Sequence, residues 1–187
     1  DRPLSTCLCD ALVPLDCDYR LVILQDPAEA KHALSSAPLL AKSIRSANLL
    51  IGKMFDPEAV IGPDWRSTAA LVYPAEQSIS SQAVRDSRIN TLVFLDGTWR
   101  KAARLLHLNP WLRTLPCLAL QPDRPGQYRI RKSPRADGLS TIEAAAQVLK
   151  QLQPERDFTG MLGAFTKMID IQIGHMGEDT FQKHHSP

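Results

Sequence analysis

Leu92-Val93-Phe94-Leu95-Asp96-Gly97-Thr98-Trp99-Arg100-Lys101 brings an apolar run to a stop at a carboxylate, passes one glycine, and restarts as a basic segment. A buried strand that ends in an acid and leads into a helix sets that acid at the carboxyl edge of a sheet, where α/β proteins bind ligands. A carboxylate there has two uses. It can take a proton from a substrate as a general base, or it can cap the helix by accepting from its first N–H groups. Thr98 is able to fill the cap, which leaves Asp96 available for something else, and spacing alone leaves both readings open. Trp99 has two readings as well, an anchor of helix to sheet or the wall of a pocket for a flat ligand.

Arg100, Lys101 and Arg104 follow on the same predicted helix, and no acid lies between residues 97 and 122 to offset them. Residues 124–135 add Arg124, Arg129, Arg131, Lys132 and Arg135, again without an acid, with Tyr128 among them. The net charge is only +2, so nucleic-acid binding has to be argued from such clustering. Two basic patches flanking one acid favour a polyanionic partner over a plain basic surface, with Tyr128 and Trp99 as candidates to stack on bases. Ser140-Thr141-Ile142-Glu143 matches a capping box, and a helix start preceded by Gly138-Leu139 offers backbone N–H groups to a carboxylate or phosphate. An ordinary capped helix start is the alternative there.

The four cysteines are Cys7, Cys9, Cys17 and Cys117. Cys7 and Cys9 are too close for an easy mutual disulfide, and the set does not form an extracellular framework, which favours a reducing, cytoplasmic compartment. One Cys-x-Cys supplies half of the usual zinc ligand set, so free thiols and a metal site both stay open. His32, His107 and His175 are scattered, and nothing matches a Gly-rich nucleotide loop or a nucleophile elbow. No apolar run reaches the roughly 18 residues that cross a bilayer, and no secretory signal or obligate protein partner is evident.

These residues need elements to hold them. At 187 residues the chain is expected to form one domain with a sizeable core. Residues 19–24, 48–51, 69–73, 91–95 and 116–120 read as strands. Residues 28–45 read as a helical region interrupted near Pro38, and residues 98–108, 141–152 and 157–173 as helices. Residues 1–18 read as an irregular, Cys-rich segment, 19–174 as the α/β domain, and the rest as a flexible tail. Strands alternating with helices predict an α/β sheet with substantial parallel pairing.

In order and spacing, Leu95-Asp96-Gly97-Thr98-Trp99-Arg100-Lys101-Ala102, Tyr128-Arg129-Ile130-Arg131 and Leu139-Ser140-Thr141-Ile142-Glu143-Ala144 resemble the DTW-domain family of tRNA-uridine aminocarboxypropyltransferases. Leu71-Val72-Tyr73-Pro74, Pro27-Ala28-Glu29 and Leu39-Leu40 are similar to its other segments. The resemblance implies a SPOUT-like α/β sheet with helices on both faces and a C-terminal trefoil knot. It implies S-adenosylmethionine bound between loops near residues 71–77, 95–99 and 127–142, and transfer of its 3-amino-3-carboxypropyl group to N3 of a uridine in tRNA. Asp96 and Trp99 are then the expected catalytic residues. Tyr73, Pro74, Leu95, Gly97, Thr98, Leu139, Ser140 and Thr141 are expected at the cofactor. Arg100, Lys101, Arg104, Tyr128, Arg129, Arg131, Lys132 and Arg135 are expected at the RNA. Cys7 and Cys9 match half of the family's zinc ligands, whose other pair would precede Asp1. The stretch Ala33–Pro38 departs from the family's more polar version. A SPOUT-type methyltransferase and a non-catalytic RNA-binding module are the rival readings.

Overall fold

The computed structural model describes residues 3–120 and 139–176. Strands β1 (Arg20–Gln25), β2 (Ala47–Ile51), β3 (Ala69–Val72), β4 (Thr91–Asp96) and β5 (Cys117–Leu118) form one parallel sheet in the order β2-β1-β4-β3-β5. All five lie where the apolar runs predict, with β5 cut to two residues. Alternate side chains serve opposite faces, as a strand's twofold period requires. Leu21, Ile23, Ala70, Leu92 and Phe94 enter one core, and Val22, Leu24, Ala69, Leu71 and Val93 the other. A sheet buried on both faces explains why the central strands are apolar throughout instead of alternating.

The helices fill in around it. The expected single helical region is two: α1 (Pro27–Ala30) and α2 (Ala37–Ser43). Pro38 does not interrupt a helix but sits in the first turn of α2, where its missing N–H costs nothing. Three short helices went unrecognised in the sequence, α3 (Pro57–Val60), α4 (Trp65–Thr68) and α5 (Ser81–Arg85), because four or five residues are too few to show a helical period. Then come α6 (Trp99–Leu108), α7 (Thr141–Leu152) and α8 (Gly163–Met176).

The last helix starts later and runs further than residues 157–173. Thr159–Leu162 is a 3-10 turn, and α8 continues through Gly174 and His175, which the sequence assigns to the domain end and the tail. Ala164, Phe165, Met168 and Ile169 bury α8 in the first core. The Cys-rich segment rests against this helix: Leu8 joins the same core, and Lys167 Nζ donates to Asp10 at 2.6 Å.

The strand order creates one divergence. From β1 the chain passes to β2 on one side, whereas from β4 it passes over β3 to β5 on the other. Connections that leave two adjacent strands in opposite directions open a crevice between their carboxyl ends. Gln25 and Asp96, paired in register, close those two strands.

Candidate active site

Asp96 terminates β4 and is only 4% exposed. Gly97 follows at φ +150°, and a Cβ there would stand 2.9 Å from the Lys101 side chain, so this turn needs glycine. Thr98 caps α6, its Oγ1 accepting from the Lys101 N–H at 3.4 Å. The cap is thus filled by the threonine, and Asp96 faces a different set of partners.

Those partners come from three elements. Gln25 Nε2, at the end of β1, donates to Asp96 Oδ2 at 2.7 Å. Ser35 Oγ, in the link between α1 and α2, lies 3.4 Å from the same oxygen and also accepts from Gln25 Nε2 at 2.8 Å. Thr141 Oγ1, at the start of α7, donates to Oδ1. Burial raises the Asp96 pKa above the ordinary carboxylate value; the Thr141 and Gln25 hydrogen bonds oppose the shift, and the nearby Glu29 charge adds to it. The result is a carboxylate fixed by donors from three elements, with its proton affinity raised above the ordinary value.

Asp96 is not the one acid at this edge, and the α6 cations are not without acids to offset them. Lys101 Nζ donates to Glu29 Oε2 at 2.7 Å, and Arg104 pairs with Asp26. Asp26 also caps α1, its Oδ1 accepting from the Ala28 N–H at 2.9 Å. Burial pushes Asp26 up, but the Arg104 and Ala28 hydrogen bonds outweigh it and leave its pKa lowered. These acids lie 72 and 78 residues before their partners, out of reach of a local charge count. Asp96 enters neither ion pair. Arg100 is exposed.

Two of the expected aromatics come together. The Tyr73 and Trp99 rings meet edge to face, with centroids 6.0 Å apart and planes at 69°, and Trp99 keeps 37% of its surface exposed. Pro74 is exposed beside them and Leu95 half-buried. At α7 the capping box forms as expected: Ser140 Oγ accepts from the Glu143 N–H, and the Ser140 N–H donates to Glu143 Oε2 at 2.8 Å. The box uses those two N–H groups, and Thr141 and Ile142 carry the other N–H groups of the first turn. Leu139 and Ser140 are half-buried alongside.

Tyr128, Arg129, Arg131, Lys132 and Arg135 lie outside the described residues, so the second basic patch has no structural account. The Cys9 N–H donates to Cys7 Sγ at 3.3 Å, and hydrogen bonding from Cys9 lowers the Cys7 pKa. Among the described residues no group of three or more His, Cys, Asp or Glu side chains is placed to hold a metal. Two thiols alone do not fit a zinc ion.

Four side chains at the crevice escaped the site prediction: Gln25, Asp26, Glu29 and Ser35. The available signal was the same as for Asp96, an apolar strand closed by polar residues, here Gln25-Asp26 before Pro27.

A doubly flanked parallel sheet with a buried carboxylate at its divergent crevice defines an α/β protein with a candidate site at that edge. The DTW domain family matches residues 1–173, and the chain belongs to that family. It is 30% identical to tRNA-uridine aminocarboxypropyltransferase 2 of Macaca fascicularis, over 98% of this chain and 65% of that protein. It is 33% identical to the proteins of the same name in Mus musculus, over 81% of this chain and 54% of that one, and Drosophila melanogaster, over 81% and 64%. The chain thus spans between about half and two thirds of the length of these relatives. No solved structure matches it.

Proposed function

We propose that this chain transfers the 3-amino-3-carboxypropyl group of S-adenosylmethionine to N3 of a uridine in tRNA, in the cytoplasm, with Asp96 as the base. The observation that carries the proposal is the isolation of Asp96. It is buried at the crevice, fixed by hydroxyl and amide donors, and left out of both neighbouring ion pairs. Its family and the names of its relatives supply the reaction class.

The residues at the crevice suit S-adenosylmethionine by their chemistry. The exposed face of Trp99, packed against Tyr73, suits the adenine or the sulfonium, and the N–H groups of Thr141 and Ile142 suit the carboxylate. When bound, the donor supplies the electrophile, the methylene next to its sulfonium, whose bonding pair leaves on sulfur as neutral 5′-methylthioadenosine. The chain's own task is proton removal and alignment. Uridine N3–H is a weak acid, and its proton must leave as N3 forms the new bond. Asp96 Oδ2 already accepts from Gln25, with Ser35 nearby, whereas Oδ1 accepts from Thr141 alone. A carboxylate oxygen accepts two hydrogen bonds, so Oδ1 has the open position, and the proton goes there. Choosing the aminocarboxypropyl carbon over the methyl on the same sulfur is a matter of orientation, worth several orders of magnitude in rate when geometry is fixed.

Exposed Arg100, together with the cations of residues 129–135, holds the tRNA backbone in this reading. The SPOUT relationship and C-terminal knot belong to the same proposal, supported by the parallel sheet and by the return of α7 to the β4 edge through Thr141. The test is nucleoside mass analysis of tRNA after incubation with S-adenosylmethionine and either wild type or Asp96→Ala. Wild type yields the aminocarboxypropyl uridine; Asp96→Ala binds the donor yet loses at least about 100-fold in rate, the usual scale of general-base catalysis. Full activity in Asp96→Ala removes the base assignment.

A further inference from the structure

We propose that Gln25 is a positioning residue for this reaction, holding the Asp96 carboxylate in one orientation and setting the pH at which it ionises. Gln25 is fully buried at the end of β1, and its Nε2 divides its two protons between Asp96 Oδ2 at 2.7 Å and Ser35 Oγ at 2.8 Å. Strand register leaves it no freedom, since Gln25 and Asp96 are direct neighbours across parallel strands.

The second observation is a defect. Gln25 Oε1 is buried and has no hydrogen-bond partner. A buried acceptor left unsatisfied is costly, and an apolar side chain of the same length would avoid it. What the amide supplies here is its Nε2, which donates to Asp96 and to the Ser35 hydroxyl that lies against the same carboxylate oxygen. Such a defect retained beside a functional carboxylate marks a residue kept for the site at the expense of stability.

The groups facing Asp96 are few. From β1 comes Gln25, from the α1–α2 link Ser35, from α7 Thr141, and from α1 the Glu29 carboxylate. The α6 cations Lys101 and Arg104 are held by Glu29 and Asp26. Removing the Gln25 donor therefore takes away one of the main groups that favour the ionised form, and no cation replaces it.

The experiment follows the Asp96 side-chain carboxyl carbon by NMR through a pH titration of the unliganded protein, in wild type, Gln25→Met and Gln25→Glu. Methionine keeps the length and drops the donor, and the Asp96 midpoint is expected to rise by roughly one pH unit. Glutamate puts a second carboxyl against the first, and two coupled midpoints are expected, one of them above wild type. If Gln25 merely filled space, Gln25→Met would leave the midpoint where it is; Gln25→Glu serves to confirm that position 25 faces the Asp96 carboxyl. The acid limb of kcat/KM is expected to follow the midpoint upward in Gln25→Met, with kcat falling more than KM for the donor changes.

The activity arm rests on the transfer reaction proposed above; the NMR arm does not. A midpoint that rises in Gln25→Met, with a wild type that transfers nothing, supports the hold of Gln25 on Asp96 and overturns the reaction. An unmoved midpoint in folded Gln25→Met overturns the role of Gln25, whatever the activity.

Discussion

At Asp96, burial favours the protonated acid while Gln25 and Thr141 favour the carboxylate, and burial prevails. The sign of the stability effect follows. With its pKa raised in the folded state, the unfolded chain gives up this proton first as pH rises, so folding loses stability between the unfolded value near 4 and the raised one. That loss persists above both. Asp96→Asn removes the charge, and rotation of the Gln25 amide would offer its orphaned Oε1 to the new amide. We therefore expect Asp96→Asn to melt at or above the wild-type temperature near pH 7, with the difference shrinking toward pH 4, while transfer activity is lost. A variant that melts below wild type at every pH contradicts this account. The residue itself was legible because a strand that stops at an acid is a local pattern. Gln25 was not, because its meaning depends on pairing with a strand more than sixty residues away, as its hydrogen bond across a separation of 71 shows.

Among the elements, α1 and α6 are joined at the crevice by two ion pairs, Lys101–Glu29 and Arg104–Asp26. Lys101→Met takes the ammonium away from a carboxylate that is almost wholly buried. Because the Lys101 side chain is itself 22% exposed, we expect a loss of about 2 kcal/mol, below the range for a fully buried pair. Denaturant unfolding measures it, and an unchanged midpoint would show that the pair is solvent-screened. Thr98→Ala removes the α6 cap and is expected to cost about 1 kcal/mol by the same measurement. Caps and long apolar strands were readable because each is written in consecutive residues. The α1–α6 clamp was not, since its acids and cations belong to separate segments that only the sheet order brings together. Ser35 shows the same limit: its stretch lacks the polar pattern of the family, yet its hydroxyl lies against Asp96.

For the whole molecule, the parallel sheet follows from strand–helix alternation, but its order β2-β1-β4-β3-β5, and with it the crevice, was not in the sequence pattern. Which cations are free for the tRNA proposed as substrate depends on that order as well. Lys101 and Arg104 are each engaged by an acid of the fold, although Arg104 keeps about half of its side chain exposed, whereas Arg100 is exposed and enters neither pair. Arg100→Ala is expected to weaken tRNA binding uniformly and to lower the slope of log affinity against log salt by about one phosphate contact. Filter binding at several salt concentrations reads this directly, and an unchanged slope would place Arg100 off the RNA.

The reaction itself is open to direct measurement. Wild-type protein is incubated with unmodified tRNA and S-adenosylmethionine labelled either in the aminocarboxypropyl chain or in the methyl group, followed by nucleoside analysis. Label in a uridine from the aminocarboxypropyl donor alone is the result expected here. Label from the methyl donor would make the protein a methyltransferase, and label from neither, with tRNA still bound, would make it a binding module.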